Sequence, residues 1–197
     1  MSSLTDRQKQ ALLEIARRSI IAAVEGREMP QDAPGDLELR NPGGAFVTLH
    51  RGARLRGCIG QLPGKDELID VVARCSALAA LEDPRFPAVT KDEIAGLEIE
   101  ISVLSEPQDT PVEDIVPGKH GLMVSRDCAR GVLLPQVAGQ MGWSAETFLE
   151  ETCVKAGLHR SAWKEPETRV QSFTAEIFSE SQLSRLARSG ARYSIST

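Results

Sequence analysis

The heptapeptide RLRGCIG sets a thiol between two glycines and directly behind two arginines. Side chains alternate between the two faces of an extended strand, so we expect Arg54, Arg56 and Cys58 on one face and Leu55 and Ile59 on the other. Neighbouring cations favour the thiolate form of a cysteine, which makes Cys58 a candidate nucleophile. The alternative is that the glycines let another backbone approach closely while the thiol fills the gap.

Other side chains along the chain have the chemistry to assist such a thiol. A nucleophilic cysteine is usually activated by a base, and His120, in the turn PGKHGL, is a candidate. Glu100 shares a predicted strand face with Glu98 and is a candidate acid or base, with a solvated strand face as the alternative. Asp83 and Arg85 flank a proline and predict a corner held by an ion pair.

The four cysteines, Cys58, Cys75, Cys128 and Cys153, are far apart in the chain and form no C-x-x-C pair. Neither zinc-type spacing nor a glycine-rich phosphate loop is present, so we predict no metal and no cofactor. In a reducing compartment the cysteines should be free thiols. Cys75 and Cys153 lie in helical patterns, where burial should shield them, so we predict that Cys58 is the most reactive of the four.

The composition is that of an ordinary globular protein. The chain has 197 residues, of which 41% are hydrophobic, and a formal net charge of -5. That charge argues against general nucleic-acid binding, and the low aromatic content of 4% gives few side chains on which bases could stack. No apolar run reaches the length of a membrane helix and the N-terminus does not resemble a secretory signal, so we expect a cytoplasmic protein that does not enter a membrane.

The first half of the chain contains a helix and a hairpin. Thr5 followed by Gln8 predicts a capped helix start, and the helical spacing of apolar residues continues to Gly26. The segment EMPQDAPGDLELRNPGG predicts an irregular surface connection. AFVTLH and RLRGCIG then predict two strands joined by a tight turn around residues 51–53.

The register of this hairpin stays open on the sequence. A three-residue loop would place Thr48 and His50 opposite the arginines, on the face of the thiol. A two-residue turn would place Val47 and Leu49 there instead.

The second half alternates helices with further strands. Asp66 predicts the N-cap of a helix that must end near Asp83, because Pro84 follows. LEIEISVL alternates cleanly and predicts a strand, and GLMVS and GVLLP predict a hairpin around RDCARG. Ser144 predicts a helix start and Gly157 its end, and SFTAEIFSE is expected to close the sheet.

Hairpins interleaved with helices favour an α+β domain with a mostly antiparallel or mixed sheet and flanking helices. We expect one domain over residues 1–183 and a polar C-terminal tail over residues 184–197, the tail being frayed.

Seven blocks in order along the chain carry a resemblance to a known family. The chain resembles the AMMECR family, known in prokaryotes as the A component of the AmmeMemoRadiSam system. The blocks are GGAFVTLHRGARLRGCIGQL, LEDPRF, LEIEISVLS, GKHGLMV, GVLLPQVA, GWSAETFLEETCVKAGL and FTAEIFSE. The resemblance implies an α+β domain of two closely packed lobes with LRGCIG as the signature, but no settled reaction.

The resemblance also implies partners, because family members occur beside a Memo-like protein and a radical SAM protein. Our first hypothesis is a small-molecule-binding or cysteine-dependent enzyme with a cleft around the RGCIG strand, whose arginine holds a small anionic ligand. The second is a non-catalytic partner that docks through the same strand. A nucleic-acid-linked regulator is the third, supported only by Arg51, Arg54 and Arg56. The candidate catalytic residues are Cys58, Arg56, Glu100 and His120, and the candidate ligand-binding residues are Arg54, Gly57, Gly60, Asp83, Arg85 and Gln136.

Overall fold

The computed structural model describes residues 3–30 and 36–190, and it divides the chain into two compact units. The first unit holds the described residues up to Val103 together with those from Glu176 onward, and the second spans Leu104–Ala175. Each unit contains a four-stranded antiparallel sheet, which confirms the α+β class.

The elements follow one another as hairpins and helices. The helices are α1 Asp6–Glu25, α2 Leu68–Leu81, α3 Pro135–Met141, α4 Ala145–Lys155 and α5 Glu180–Gly190. The strands are β1 Gly44–Arg51, β2 Arg54–Gln61, β3 Leu97–Leu104, β4 Gln108–Asp109, β5 Gly121–Arg126, β6 Ala129–Leu133, β7 Arg169–Phe173 and β8 Ala175–Ser179. The sheet of the first unit has the order β2-β1-β3-β8, and that of the second has the order β4-β7-β5-β6.

Helix α1 begins and ends where the sequence predicts. Thr5 and Gln8 form a reciprocal capping box, and Gly26 ends the helix in the left-handed conformation with a φ of 68°. The apolar face of the helix, including Leu12 and Ile20, is buried in the core of the first unit. Of the predicted irregular connection that follows, residues 31–35 lie outside the described residues, and Leu37–Arg40 form a short 3-10 helix.

Helix α2 starts later than predicted. Asp66 is not its N-cap, because the Asp66 carboxylate instead accepts hydrogen bonds from Gln61 at 2.9 Å and Arg74 at 2.6 Å. Glu67 occupies the N-cap position without a capping side-chain hydrogen bond. The helix ends at Leu81, two residues before Asp83, as the following proline requires.

The C-terminal strand segment is divided between the two sheets. We expected SFTAEIFSE to close one sheet, but β7 pairs with β4 and β5 in the second unit, whereas β8 is an edge strand of the first. The predicted tail is also partly helical, since residues 184–190 continue α5. Residues 191–197 lie outside the described residues.

The second unit confirms the local predictions. Strands β5 and β6 form the expected hairpin, with Asp127 at a positive φ of 52° in the turn. Ser144 caps α4, and its buried Phe148, Leu149 and Cys153 form the core of this unit with residues of the sheet.

Within residues 3–30 and 36–190, the structure contains no helix of sufficient length and apolarity to span a membrane.

Candidate functional site

The β1–β2 hairpin carries a bulge that decides which side chains share a face with Cys58. Arg51 pairs with Arg54 across a two-residue turn, but the register shifts between Leu49 and His50. Leu49 pairs with Gly57 and His50 with Leu55, which leaves Arg56 as the extra residue of the bulge.

The bulge changes which side chains of β2 share a face. Cross-strand partners point to the same side of a sheet, so Leu55 follows His50 to one face while Ile59 follows Val47 to the other. The burial agrees, since Leu55 is exposed and Ile59 packs against the core. The prediction that Leu55 and Ile59 share a face is therefore wrong.

We call the side of the hairpin that bears the thiol the Cys58 face. Thr48 is the direct partner of Cys58, and a two-residue turn followed by a bulge puts Thr48 and His50 on the face of the thiol. The three-residue register also predicted that face, but it paired these two residues with the arginines, whereas their partners are Cys58 and Leu55. Arg54 pairs with Arg51 and so belongs to the opposite side of the ladder. The Cys58 face consists of Phe46, Thr48 and His50 from β1, with Leu55, Cys58 and Gly60 from β2.

Both glycines beside Cys58 have a packing reason to be glycine. A Cβ at Gly57 would lie 2.1 Å from the carbonyl oxygen of Ala79, so α2 can pack here only against a strand that lacks a side chain. A Cβ at Gly60 would lie 2.2 Å from the ring of Phe46, which covers that position. The close approach of another backbone, the alternative raised by the sequence, thus accounts for Gly57.

Asp83 and Arg85 form the expected ion pair and use it to hold the edge of β2. The Asp83 carboxylate accepts from the backbone N–H of Cys58 at 2.8 Å and from Arg85 Nε and Nη2 at 2.9 and 2.6 Å. Arg85 Nη2 also donates to the carbonyl of Cys58 at 3.3 Å. Hydrogen bonds from Arg85, followed by those from the Cys58 and Arg85 backbones, hold the pKa of Asp83 well below its ordinary value despite burial.

Arg56 is engaged in a separate ion pair. Its guanidinium donates to both carboxylate oxygens of Glu93 at 2.9 Å and to the carbonyls of Pro87 and Ala88 at 2.8 and 3.2 Å. Hydrogen bonding to Arg56, with help from the Thr90 backbone, lowers the pKa of Glu93 to about 2. Arg56 therefore fastens the connection between α2 and β3 to the hairpin.

The cation that accompanies the thiol is Arg85. Cys58 is half-buried, and its Sγ lies 3.2 Å from the hydroxyl of Thr48, which donates to it. The pKa of Arg85 is raised chiefly by its hydrogen bond to Asp83, and the Cys58 thiol contributes in the same direction. Its side chain is 53% exposed, so the guanidinium is accessible from solvent.

The other thiols differ from Cys58 in their surroundings. Burial raises the pKa of Cys75 to about 11 and also raises that of Cys153. Cys128 is exposed in the β5–β6 turn beside Asp127. All four cysteines are free.

The remaining candidates occupy separate places in the fold. Glu100 is half-buried on β3, and among the described residues its side chain, like that of Arg54, makes no hydrogen bond or ion pair. His120 and Gln136 belong to the second unit, where His120 Nδ1 accepts from the backbone N–H of Val116 at 3.2 Å. No group of three or more metal-ligating side chains occurs in the part of the chain that the structure describes.

Sequence reasoning did not assign a site role to Thr48, His50 or Glu93. Thr48 and His50 appeared as one of two hairpin registers, so the signal for them was present but undecided. Glu93 lies far from Arg56 in the chain, and the spacing of residues gives no signal for their pairing.

The chain is similar in sequence to a family of known proteins. A family model described as AMMECR1 matches residues 13–178. A curated relative from Methanothermobacter thermautotrophicus is 42% identical over 181 residues, covering 87% of this chain and 93% of the relative. One from Thermococcus gammatolerans is 41% identical over 194 residues, covering 91% of this chain and 94% of the relative.

The fold is also similar to a solved one. The crystal structure of the uncharacterized protein PH0010 from Pyrococcus horikoshii matches with a TM-score of 0.78 and 40% sequence identity. The match covers 87% of this chain and 90% of that one.

Proposed function

From the premise that the chain belongs to the AMMECR1 family, we propose that it binds a small anionic molecule on the Cys58 face, with the thiol contacting or attacking the ligand. The observation that carries the proposal is that a half-buried thiol on β2 has around it a hydroxyl from β1 that donates to it and a solvent-accessible guanidinium from the connection after α2.

This arrangement supports chemistry because the thiol is held in place before any ligand arrives. The backbone of Cys58 is bonded on its outer edge to Asp83 and Arg85, and its side chain is bonded to Thr48. These contacts place a hydroxyl donor and a cationic side chain around one cysteine. A positioned thiolate is the nucleophile that a cysteine-dependent reaction requires.

Two measurements test the proposal: the rate at which the Cys58 thiol is alkylated, and whether the protein still binds small molecules without that thiol. We expect iodoacetamide to label Cys58 faster than Cys128 near neutral pH, and to leave Cys75 unlabelled in the folded protein. Peptide mass spectrometry over a pH series measures all three thiols in one sample.

The Cys58→Ala variant should remain folded and lose the small molecules that co-purify with the wild-type protein from its native host, whereas Cys128→Ala should retain them. A Cys58 that labels no faster than Cys128, together with unfolding of Cys58→Ala, would mean that the thiol serves packing alone.

A docking role for a Memo-like or a radical SAM protein is our second proposal. The exposed Leu55 on the Cys58 face supports it, since the side chain is 39% exposed beside the signature residues. Strand addition at Cys58 is disfavoured, because Asp83 and Arg85 already occupy its outward backbone groups. A Leu55→Glu variant that loses the purified Memo-like protein in a pull-down, with Cys58 labelling unchanged, would favour docking.

A further inference from the structure

The geometry points to a ligand class for the proposed site: a short carboxylate whose electrophilic carbon is bonded directly to the carboxylate carbon, held by Arg85 and attacked by Cys58. This inference rests on the proposed function, because it assumes that the thiol of Cys58 is the reacting group. It adds that Arg85, and neither Arg54 nor Arg56, selects the ligand.

The donors of Arg85 are divided between the protein and solvent. Nε and Nη2 are bonded to Asp83, and Nη2 also reaches the carbonyl of Cys58. Nη1 has no acceptor among residues 3–30 and 36–190, so both of its hydrogens are available to a ligand. A carboxylate oxygen can accept a charge-assisted hydrogen bond from Nη1, the one nitrogen of this guanidinium that has no acceptor among the described residues.

The negative charge of Asp83 does not face that ligand. Its side chain is only 2% exposed, and its oxygens are satisfied by the Arg85 side chain, the Arg85 backbone and the Cys58 backbone. An approaching anion therefore meets the N–H groups of Arg85 and not the carboxylate behind them. Arg56 offers no such nitrogen, since its side chain is 11% exposed and each of its three guanidinium nitrogens donates to Glu93 or to a backbone carbonyl.

The short ligand follows from how close the two groups are. Arg85 Nη2 lies 3.3 Å from the carbonyl oxygen of the same residue whose thiol would react, and from this contact we infer a ligand that is short enough to reach both groups. The ring of Phe86, with its centroid 5.4 Å from the guanidinium carbon, provides an apolar neighbour to this position.

The reaction that these groups would perform balances without a cofactor. The thiolate of Cys58 adds to a carbonyl carbon next to the carboxylate, so that a C–S bond forms and the C=O π bond breaks. The π electron pair moves to the oxygen, which takes a proton from water. The product is a reversible thiohemiketal or hemithioacetal.

Two alkylating reagents of nearly equal size test the inference. Iodoacetate carries a carboxylate next to its electrophilic carbon, whereas iodoacetamide is neutral there. Both transfer a carbon to sulfur and release iodide, so the ratio of their rates at one thiol isolates the effect of the charge. Cys128 serves as the internal reference.

We expect the ratio of the iodoacetate rate to the iodoacetamide rate to be about two- to five-fold larger at Cys58 than at Cys128, the range for a partly exposed ion pair. Arg85→Gln should remove this excess, and Arg40→Gln, which removes an exposed arginine from the same unit, should keep it. The excess should also fall in 1 M salt with the wild-type protein, which tests the charge without any variant.

Equal ratios at the two thiols, or an excess that survives both Arg85→Gln and high salt, would overturn the ligand class. A Cys58 that reacts with neither reagent would instead refute the proposed function on which the inference rests. If Arg85→Gln does not fold, the salt series decides alone.

Discussion

Replacing Asp83 by asparagine should destabilise the first unit far more than an equivalent change at an exposed ion pair. The side chain is buried, and Oδ2 accepts from the Cys58 N–H at 2.8 Å and from Arg85 Nη2 at 2.6 Å. Asparagine presents an NH2 group in place of one oxygen, so at least one buried donor loses its acceptor and Arg85 loses its counter-charge. Leaving such a donor unpaired and losing a charge-assisted bond costs about 3 kcal/mol together.

The assay must report on the first unit. Both tryptophans, Trp143 and Trp163, lie in the second unit, so their fluorescence follows the wrong part of the chain. Cys75 is buried in the core of the first unit, and pulsed thiol labelling along a urea series therefore measures its exposure. With a urea dependence of about 2 kcal/mol per molar, the Asp83→Asn midpoint should fall by about 1.5 M.

Asp66→Asn is the matched control for this prediction. Asp66 also pairs with an arginine in the first unit, at 2.6 Å from Arg74, but its side chain is 49% exposed. Water can replace the lost acceptor there, so the midpoint should stay unchanged within error. Equal midpoints for the two variants would refute the reasoning that burial of Asp83 makes its hydrogen bonds costly to lose.

Two further outcomes follow from the contacts of the hairpin. The pKa of Glu93 is lowered to about 2, so the stability gained from its pair with Arg56 is present above the ordinary pKa of about 4.3 and is lost as the pH falls through 2. The free-energy difference between wild type and Glu93→Gln, from urea unfolding, should therefore shrink between pH 5 and 2, and a constant difference would contradict the pairing. Gly57→Ala should destabilise the protein by about 2 kcal/mol or more because its Cβ would meet the Ala79 carbonyl, as thermal unfolding would detect. Gly96→Ala, where a Cβ meets nothing within 4 Å, is its control, and similar melting temperatures would contradict the predicted clash.

Helix ends and regular strands could be predicted from the sequence because neighbouring residues determine them. The capping box of Thr5 and Gln8, the cap at Ser144 and the alternation of β3 each depend on groups within a few positions of one another. The predicted N-cap of α2 was wrong because other side chains compete with the helix for the same carboxylate. Asp66 has a good capping side chain, but Gln61 and Arg74 bind its carboxylate in the folded chain.

The sequence also identified Cys58 as the thiol of interest, since its flanking glycines and arginines are visible without coordinates. The partners of that thiol were not visible in the same way. Strict alternation assigned Arg54 and Arg56 to it, whereas the bulge pairs Arg54 with Arg51 and Glu93 binds Arg56.

Tertiary contacts decided which groups surround the thiol, because a bulge breaks the alternation of β2 and the partners of the thiol come from other elements. The backbone of α2 contacts β2 at Gly57, the register shifts beside that residue, and Thr48 becomes the partner of Cys58. The arginine at the thiol, Arg85, comes from the connection after α2, and Asp83 holds it there. Composition and local pattern determined the elements and the candidate nucleophile, and the packing of α2 and its connection against β2 determined the thiol's electrostatic environment.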